Sequence, residues 1–270
     1  MARQTLSNAW NEALAFLSRE RRLLIPVAFG TLFLARVLTL VFANVTPGPT
    51  SSFVSILMSL WSIVGELAII ALTLHAGLSV KEALQAGARK LPAAILVYLL
   101  LGAALFLLSI PIVFGIQQAG VGPDQIVRVL SDQQLLQQLI LELPFAVKAY
   151  GAVLALAALV IGVRLLLWKQ ALVGGAGRAI PALRASWRLT GSRFWTLLAV
   201  TFLLGLVTLV INWSVTVALG SVFLMIGGAI GSRFTAQVLL VLALAAVTTL
   251  VSLVVTVFLT HVYKADSNGM

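Results

Sequence analysis

Six apolar runs, near residues 23–45, 53–76, 92–116, 146–168, 194–219 and 235–262, are each long enough to cross a lipid bilayer. A hydrocarbon core about 30 Å thick needs about 20 helical residues. Inside lipid an unpaired backbone N–H or C=O is too costly, so each run is expected to be a helix. The fourth and sixth runs are the most purely apolar, and the first and second carry one charge each. Composition removes the alternatives. Of 270 residues, 61% are hydrophobic and only 10% are charged, and the mean hydropathy is +1.09. A soluble fold has too much surface to hide so much apolar side chain, and disordered or fibrous chains have a different composition. The expected fold is therefore an all-α integral membrane protein, a single polytopic domain over residues 1–270.

The net charge is +10. Its distribution orients the chain, because cytoplasmic loops collect Lys and Arg. Arg3, Arg19, Arg21, Arg22, Lys81, Arg89, Lys90, Arg164, Lys169, Arg178, Arg184, Arg188, Arg193 and Lys264 fall on one side. Arg128, Lys148 and Arg233 fall on the other, and Arg36 lies within the first span. Both termini are thus expected in the cytoplasm of a multi-pass protein of the bacterial inner membrane. Basic residues that flank apolar runs point to anionic lipid headgroups as partners and not to nucleic acid. Residues 1–22 lack a continuous apolar stretch and a small-residue cleavage site, so the first span is expected to be an uncleaved anchor. With no cysteine and two histidines, no disulfide, thiolate or histidine metal site is expected, and no cofactor.

The polar stretch 117–143 separates the third and fourth spans. Gly122-Pro123 breaks the chain. Ser131 and Gln134 then form a capping-box pattern ahead of Leu135, Leu136, Leu139, Ile140 and Leu143 at helical spacing. This predicts a short amphipathic helix on the outer leaflet or packed on the bundle.

Three cytoplasmic segments are alike. Ala13-Leu14, Ala83-Leu84 and Ala182-Leu183 each precede an arginine (Arg19, Arg89, Arg188) at the same offset, and each segment leads into a transmembrane hairpin. The expected architecture is three tandem parallel repeats of amphipathic helix plus hairpin, at 5–76, 78–168 and 178–263. The pattern resembles the membrane domain of the bacterial glycerophosphoryl diester phosphodiesterase family and related six-helix membrane proteins. Ala182-Leu183…Ser186-Trp187-Arg188-Leu189-Thr190…Phe194-Trp195 is similar to that family's signature before a span. In that family a phosphodiesterase barrel can be fused to the membrane domain. No His-Arg-Gly or paired acidic motif for such a barrel occurs here, so the resemblance implies the membrane part alone.

Arg36 and Glu66 are the outstanding charges. Each lies near the middle of its span, and two antiparallel neighbours would bring them together as an intramembrane ion pair. Such a pair fixes the register of a hairpin or forms a proton or substrate site in a transporter. Arg164, Lys169, Arg178, Arg184, Arg188 and Arg193 form the densest basic region. They are candidate contacts for anionic headgroups, with Trp168, Trp187 and Trp195 as an interfacial belt. Gly174-Gly175-Ala176-Gly177 lacks the Gly-Lys-Ser/Thr ending of a phosphate loop and reads as a flexible turn. Gly227 and Gly231 suit close helix packing in the apolar 220–231 connection, which reads as a helix end or a small hairpin. His75 and His261 read as polar caps at span ends.

No GxSxG, HExxH, paired intramembrane aspartates or acidic metal cluster is present, so no catalytic residue is assigned and the chain is expected to be non-catalytic. The leading expectation is a scaffold or accessory subunit that contacts anionic lipids and partner membrane proteins. The alternative is a transporter or lipid-handling permease that uses the Arg36–Glu66 site.

Overall fold

The structure is a computed structural model. It describes residues 2–45, 48–75, 77–118, 135, 143–191, 193–230 and 232–267. Every regular element among them is helical. Six helices are long and apolar enough to span a membrane: Arg21–Phe42, Thr50–Leu74, Val80–Gln118, Phe145–Ala176, Phe194–Ala229 and Gln237–Ser267. They overlap the six apolar runs read from the sequence and fall short of them by up to three residues at one end of the first, second and sixth. Nearly all of the expected 117–143 helix, including its capping box, lies outside the described residues.

The chain forms two compact units, Met1–Ile95 with Arg164–Met270, and Leu96–Val163. In the first, α1 (Ala2–Arg19) ends at Glu20, whose backbone leaves helical geometry. The first span starts as α2 (Arg21–Ala28), passes through a π-helical turn at Phe29–Phe33, and continues as α3 (Leu34–Val45). A π turn holds one residue more than an α turn, so it rotates all that follows by about 100°. Gly48, at φ +129°, turns the chain, and Pro49 opens α4 (Pro49–Leu74) at the one position where a missing N–H costs nothing.

α5 (Val80–Gln118) starts with a capping box. Ser79 Oγ and backbone N–H both donate to Glu82 Oε2, at 2.7 and 2.8 Å, and the Glu82 N–H donates to Ser79 Oγ at 3.3 Å. This helix runs unbroken through Pro92. The sequence reading had separated an amphipathic helix from the third span there. At about 1.5 Å per residue α5 is about 58 Å long, roughly twice the hydrocarbon thickness.

α6 (Phe145–Arg164) stops at a turn over Leu165–Leu167, followed by the four-residue α7 (Trp168–Ala171) and a second π turn, Leu172–Ala176. Then come α8 (Ala179–Gly191), α9 (Phe194–Ile230) and α10 (Arg233–Ser267). α9 continues well past 219, so most of the expected 220–231 connection is helix. Gly227 is buried on it, and Gly231 lies outside the described residues.

α10 is the centre of the larger unit and packs against α1, α4 and α9. Trp10 meets Phe258 edge-on at 5.4 Å, and Phe16 meets His261 at 5.7 Å. α4 is gripped from two sides. Gly65 lets it close on Thr31 of the first π turn, and Gly87 lets α5 rest on the backbone of Val64 and Ala68. The three aligned alanines, Ala13, Ala83 and Ala182, are all buried, while Arg19, Arg89 and Arg188 are all exposed.

The smaller unit is the hairpin of the second half of α5 with α6. Tyr150 Oη donates to the Leu108 carbonyl at 2.7 Å. Gly115 lies so close to Val147 that a Cβ there would sit 2.5 Å from a Val147 methyl.

Candidate functional site

The intramembrane charges meet differently from the expected Arg36–Glu66 pair. Lys169 Nζ donates to Glu66 Oε2. Arg36 donates instead to two hydroxyls of α10, Thr249 Oγ1 at 3.1 Å and Ser252 Oγ at 2.8 Å. Glu66 still acts electrostatically on Arg36.

Two features of the chain explain the change. The first is depth: Glu66 lies about 12 Å from the Leu74 end of its span, whereas Arg36 lies about 22 Å from the Arg21 end of its own. The second is phase, because the Phe29–Phe33 π turn precedes Arg36 and turns it toward α10.

The sequence places Lys169 at the headgroups, just past a fourth span that runs to 168. In the structure α6 ends at Arg164, and a turn leads into α7, which is buried in the bundle. Leu167, Gln170, Ala171 and Leu172 are buried there, and so is Trp168, which therefore leaves the expected interfacial belt. The break is held by a clasp from α8. The Arg164 carbonyl accepts from Ser186 Oγ at 3.0 Å and from Thr190 Oγ1 at 2.9 Å, and the Leu167 N–H donates to Ser186 Oγ at 3.2 Å. The Arg164 guanidinium lies over the Trp187 and Phe194 rings at 5.3 and 5.4 Å. The Ser-Trp…Thr…Phe signature is thus the residue set that ends α6 and aims Lys169 inward.

Removing both hydroxyls in Ser186→Ala/Thr190→Val strips the side-chain donors from a sheltered carbonyl. A cost of about 2 kcal/mol is expected, read as a fall of about 4 °C or more in the melting temperature of the detergent-solubilised protein. An unchanged melting temperature would show that the clasp does not hold the break.

The six basic candidates do not form one patch. Lys169 pairs with Glu66, Arg164 stacks on aromatic rings, and Arg193 pairs with Asp266. Arg178, Arg184 and Arg188 are all exposed. Asp266 is only 6% exposed at its side chain, and its Oδ2 has no hydrogen-bond partner.

Other polar groups of the larger unit sit where the sequence did not place them. Lys264 Nζ donates to the Thr73 carbonyl. His261 is buried in the bundle, with Nδ1 3.0 Å from the Val257 carbonyl oxygen, so it is no surface cap. The buried Gln170 carries a side-chain oxygen without a partner. One signal was available: Thr249, Ser252, Thr256 and Thr260 recur at helical spacing in the sixth span and put a hydroxyl stripe on one face. The inward turn of Lys169 had no comparable signal.

No family model, curated protein or solved structure matches the chain. The functional reading therefore rests on the geometry alone.

Proposed function

We propose that this chain is a non-catalytic membrane protein that handles an anionic amphiphile, a lipid-handling permease with Arg36, Glu66 and Lys169 at its binding site. One observation carries the reading. Arg36, held by Thr249 and Ser252, and the Glu66–Lys169 pair place two cations and one carboxylate within the apolar bundle, and the pair keeps about a quarter of each side chain exposed, 24% and 25%. A pair that only fixed a register would not need the surplus cation. Ionisable groups at membrane depth are costly and mark binding or transport paths, and a surplus of positive charge suits a negatively charged head.

The shared burial of Ala13, Ala83 and Ala182 supports three tandem repeats. The crowding of Lys and Arg at one set of span ends supports cytoplasmic termini in a bacterial inner membrane. A reporter fused after Met270 is expected to read the cytoplasm, and an external signal would reverse the topology.

The accessory-subunit reading has one observation in its favour. Much of α9 is bare and apolar, with Phe202 73% and Trp213 67% exposed, and it suits a partner helix as well as lipid.

Native mass spectrometry of protein released gently from its own membrane separates the two. Retention of an anionic amphiphile is expected, with occupancy at least tenfold lower in the charge-balanced variant Glu66→Gln/Lys169→Gln. A lipid-free protein bound to a stoichiometric protein partner would overturn the permease reading in favour of the accessory subunit.

A further inference from the structure

A second polar site lies at the ends of α4 and α10. Leu74, His75, Gly174, Tyr263, Lys264 and Ser267 line an open basin of about 480 Å³, within the range of about 300–1,000 Å³ usual for small-molecule sites. The lining holds a cation, an imidazole and two hydroxyls, and no carboxylate.

The glycine loop forms one wall. Gly174 lies against the Tyr263 ring and hydroxyl, where a Cβ would come within 2.8 Å. Gly175 and Gly177 hold φ of +143° and +66°, values that L side chains resist. The turn expected from Gly174–Gly177 is therefore a shaped wall that needs its glycines. Lys90 Nζ approaches the far end of this loop, 3.6 Å from where a Gly177 Cβ would be, and is not among the residues that line the basin. Lys264 uses one N–H on the Thr73 carbonyl, and an ammonium has three, so two remain. The nearby acids are accounted for. Asp266 is taken by Arg193, and Glu12 of α1 acts on Lys264 from outside the lining.

We propose that this basin is a binding site for a phosphoryl anion, with Lys264, His75 and the Tyr263 hydroxyl as its donors and Gly174 in its wall. Phosphate oxygens accept several hydrogen bonds at once, which is what an ammonium, an imidazole and a hydroxyl offer. The anion is either the phosphate of a lipid head or a free phosphate. The site shares no residue with the Arg36–Glu66–Lys169 cluster and does not depend on the permease reading.

The test uses the full chain in nanodiscs of phosphatidylcholine and follows the melting temperature at constant ionic strength. One arm adds phosphatidic acid to the disc, and the other adds inorganic phosphate to the buffer. Saturable stabilisation is expected in at least one arm: the first alone identifies a lipid head, and the second a soluble phosphate. Lys264→Gln and His75→Gln are each expected to weaken the half-saturation point about tenfold, whereas Arg22→Gln, a change of an exposed residue outside the basin, leaves it unchanged. Lys264 also supports Thr73, so His75→Gln carries the test if Lys264→Gln does not fold. No stabilisation in either arm would overturn the proposal. So would an equal loss in Arg22→Gln, which would indicate general charge attraction.

Discussion

Glu66→Gln is expected to be among the most damaging single changes in the protein. It leaves the Lys169 ammonium inside the bundle without its carboxylate. Breaking a buried pair from one side costs about 3–5 kcal/mol, because the remaining charge is desolvated and unpaired. The partial exposure of this pair puts the expected loss near the lower end, about 3 kcal/mol. Glu66→Gln/Lys169→Gln should recover most of it, since no charge is then left behind. A double-mutant cycle between the two should give a coupling of about 2 kcal/mol or more. The same cycle between Arg36 and Glu66 should give well under that, because Arg36 is held by Thr249 and Ser252 and feels Glu66 only through space. Equilibrium unfolding in mixed micelles measures both cycles. A larger coupling for Arg36 than for Lys169 would restore the pairing that the sequence suggested.

Gly87→Ala is expected to cost about 3 kcal/mol, the upper part of the usual range for overpacking. Its new Cβ would lie 2.6 Å from the Val64 carbonyl oxygen and 3.1 Å from the Ala68 nitrogen. Both obstacles are helix backbone, so relief requires α5 to move off α4. Gly65→Ala meets a side chain instead, with Thr31 Oγ1 at 2.0 Å and Thr31 Cβ at 2.4 Å. It should be similarly damaging alone and largely rescued by Thr31→Gly, whereas no side-chain truncation should rescue Gly87→Ala. Thermal unfolding of Gly87→Ala, Gly65→Ala and Gly65→Ala/Thr31→Gly reads the difference. A harmless Gly87→Ala would mean that the two helices do not touch there.

The two predictions depend on different kinds of information. The importance of Glu66 was visible from the sequence, since a lone carboxylate in an apolar run is expensive wherever it points. Its partner was not visible, because that depends on a π turn at Phe29–Phe33 and on a helix that stops at Arg164. The glycines show the same divide. Gly65 and Gly87 stand among many others in the chain, and only the crossing of α4 with its neighbours distinguishes them.

Some features of the site were half-legible. The Ser186…Thr190 signature stood out as a pattern, but its role as a clasp on the Arg164 carbonyl is a contact between residues far apart in sequence. Lys264 was counted as one more basic residue at a span end, yet it reaches back to Thr73 and borders the basin.

The sequence by itself determined the helical class, the six spans and the crowding of basic residues at one set of span ends. Those follow from the transfer free energy of each residue and from the need to satisfy each backbone group locally. Only the tertiary structure decided which charges meet, how deep they lie and which way Lys169 faces. A single added residue in one turn, or one carbonyl held by a distant hydroxyl, rotates a side chain onto a different neighbour, and no local property of the chain records that outcome.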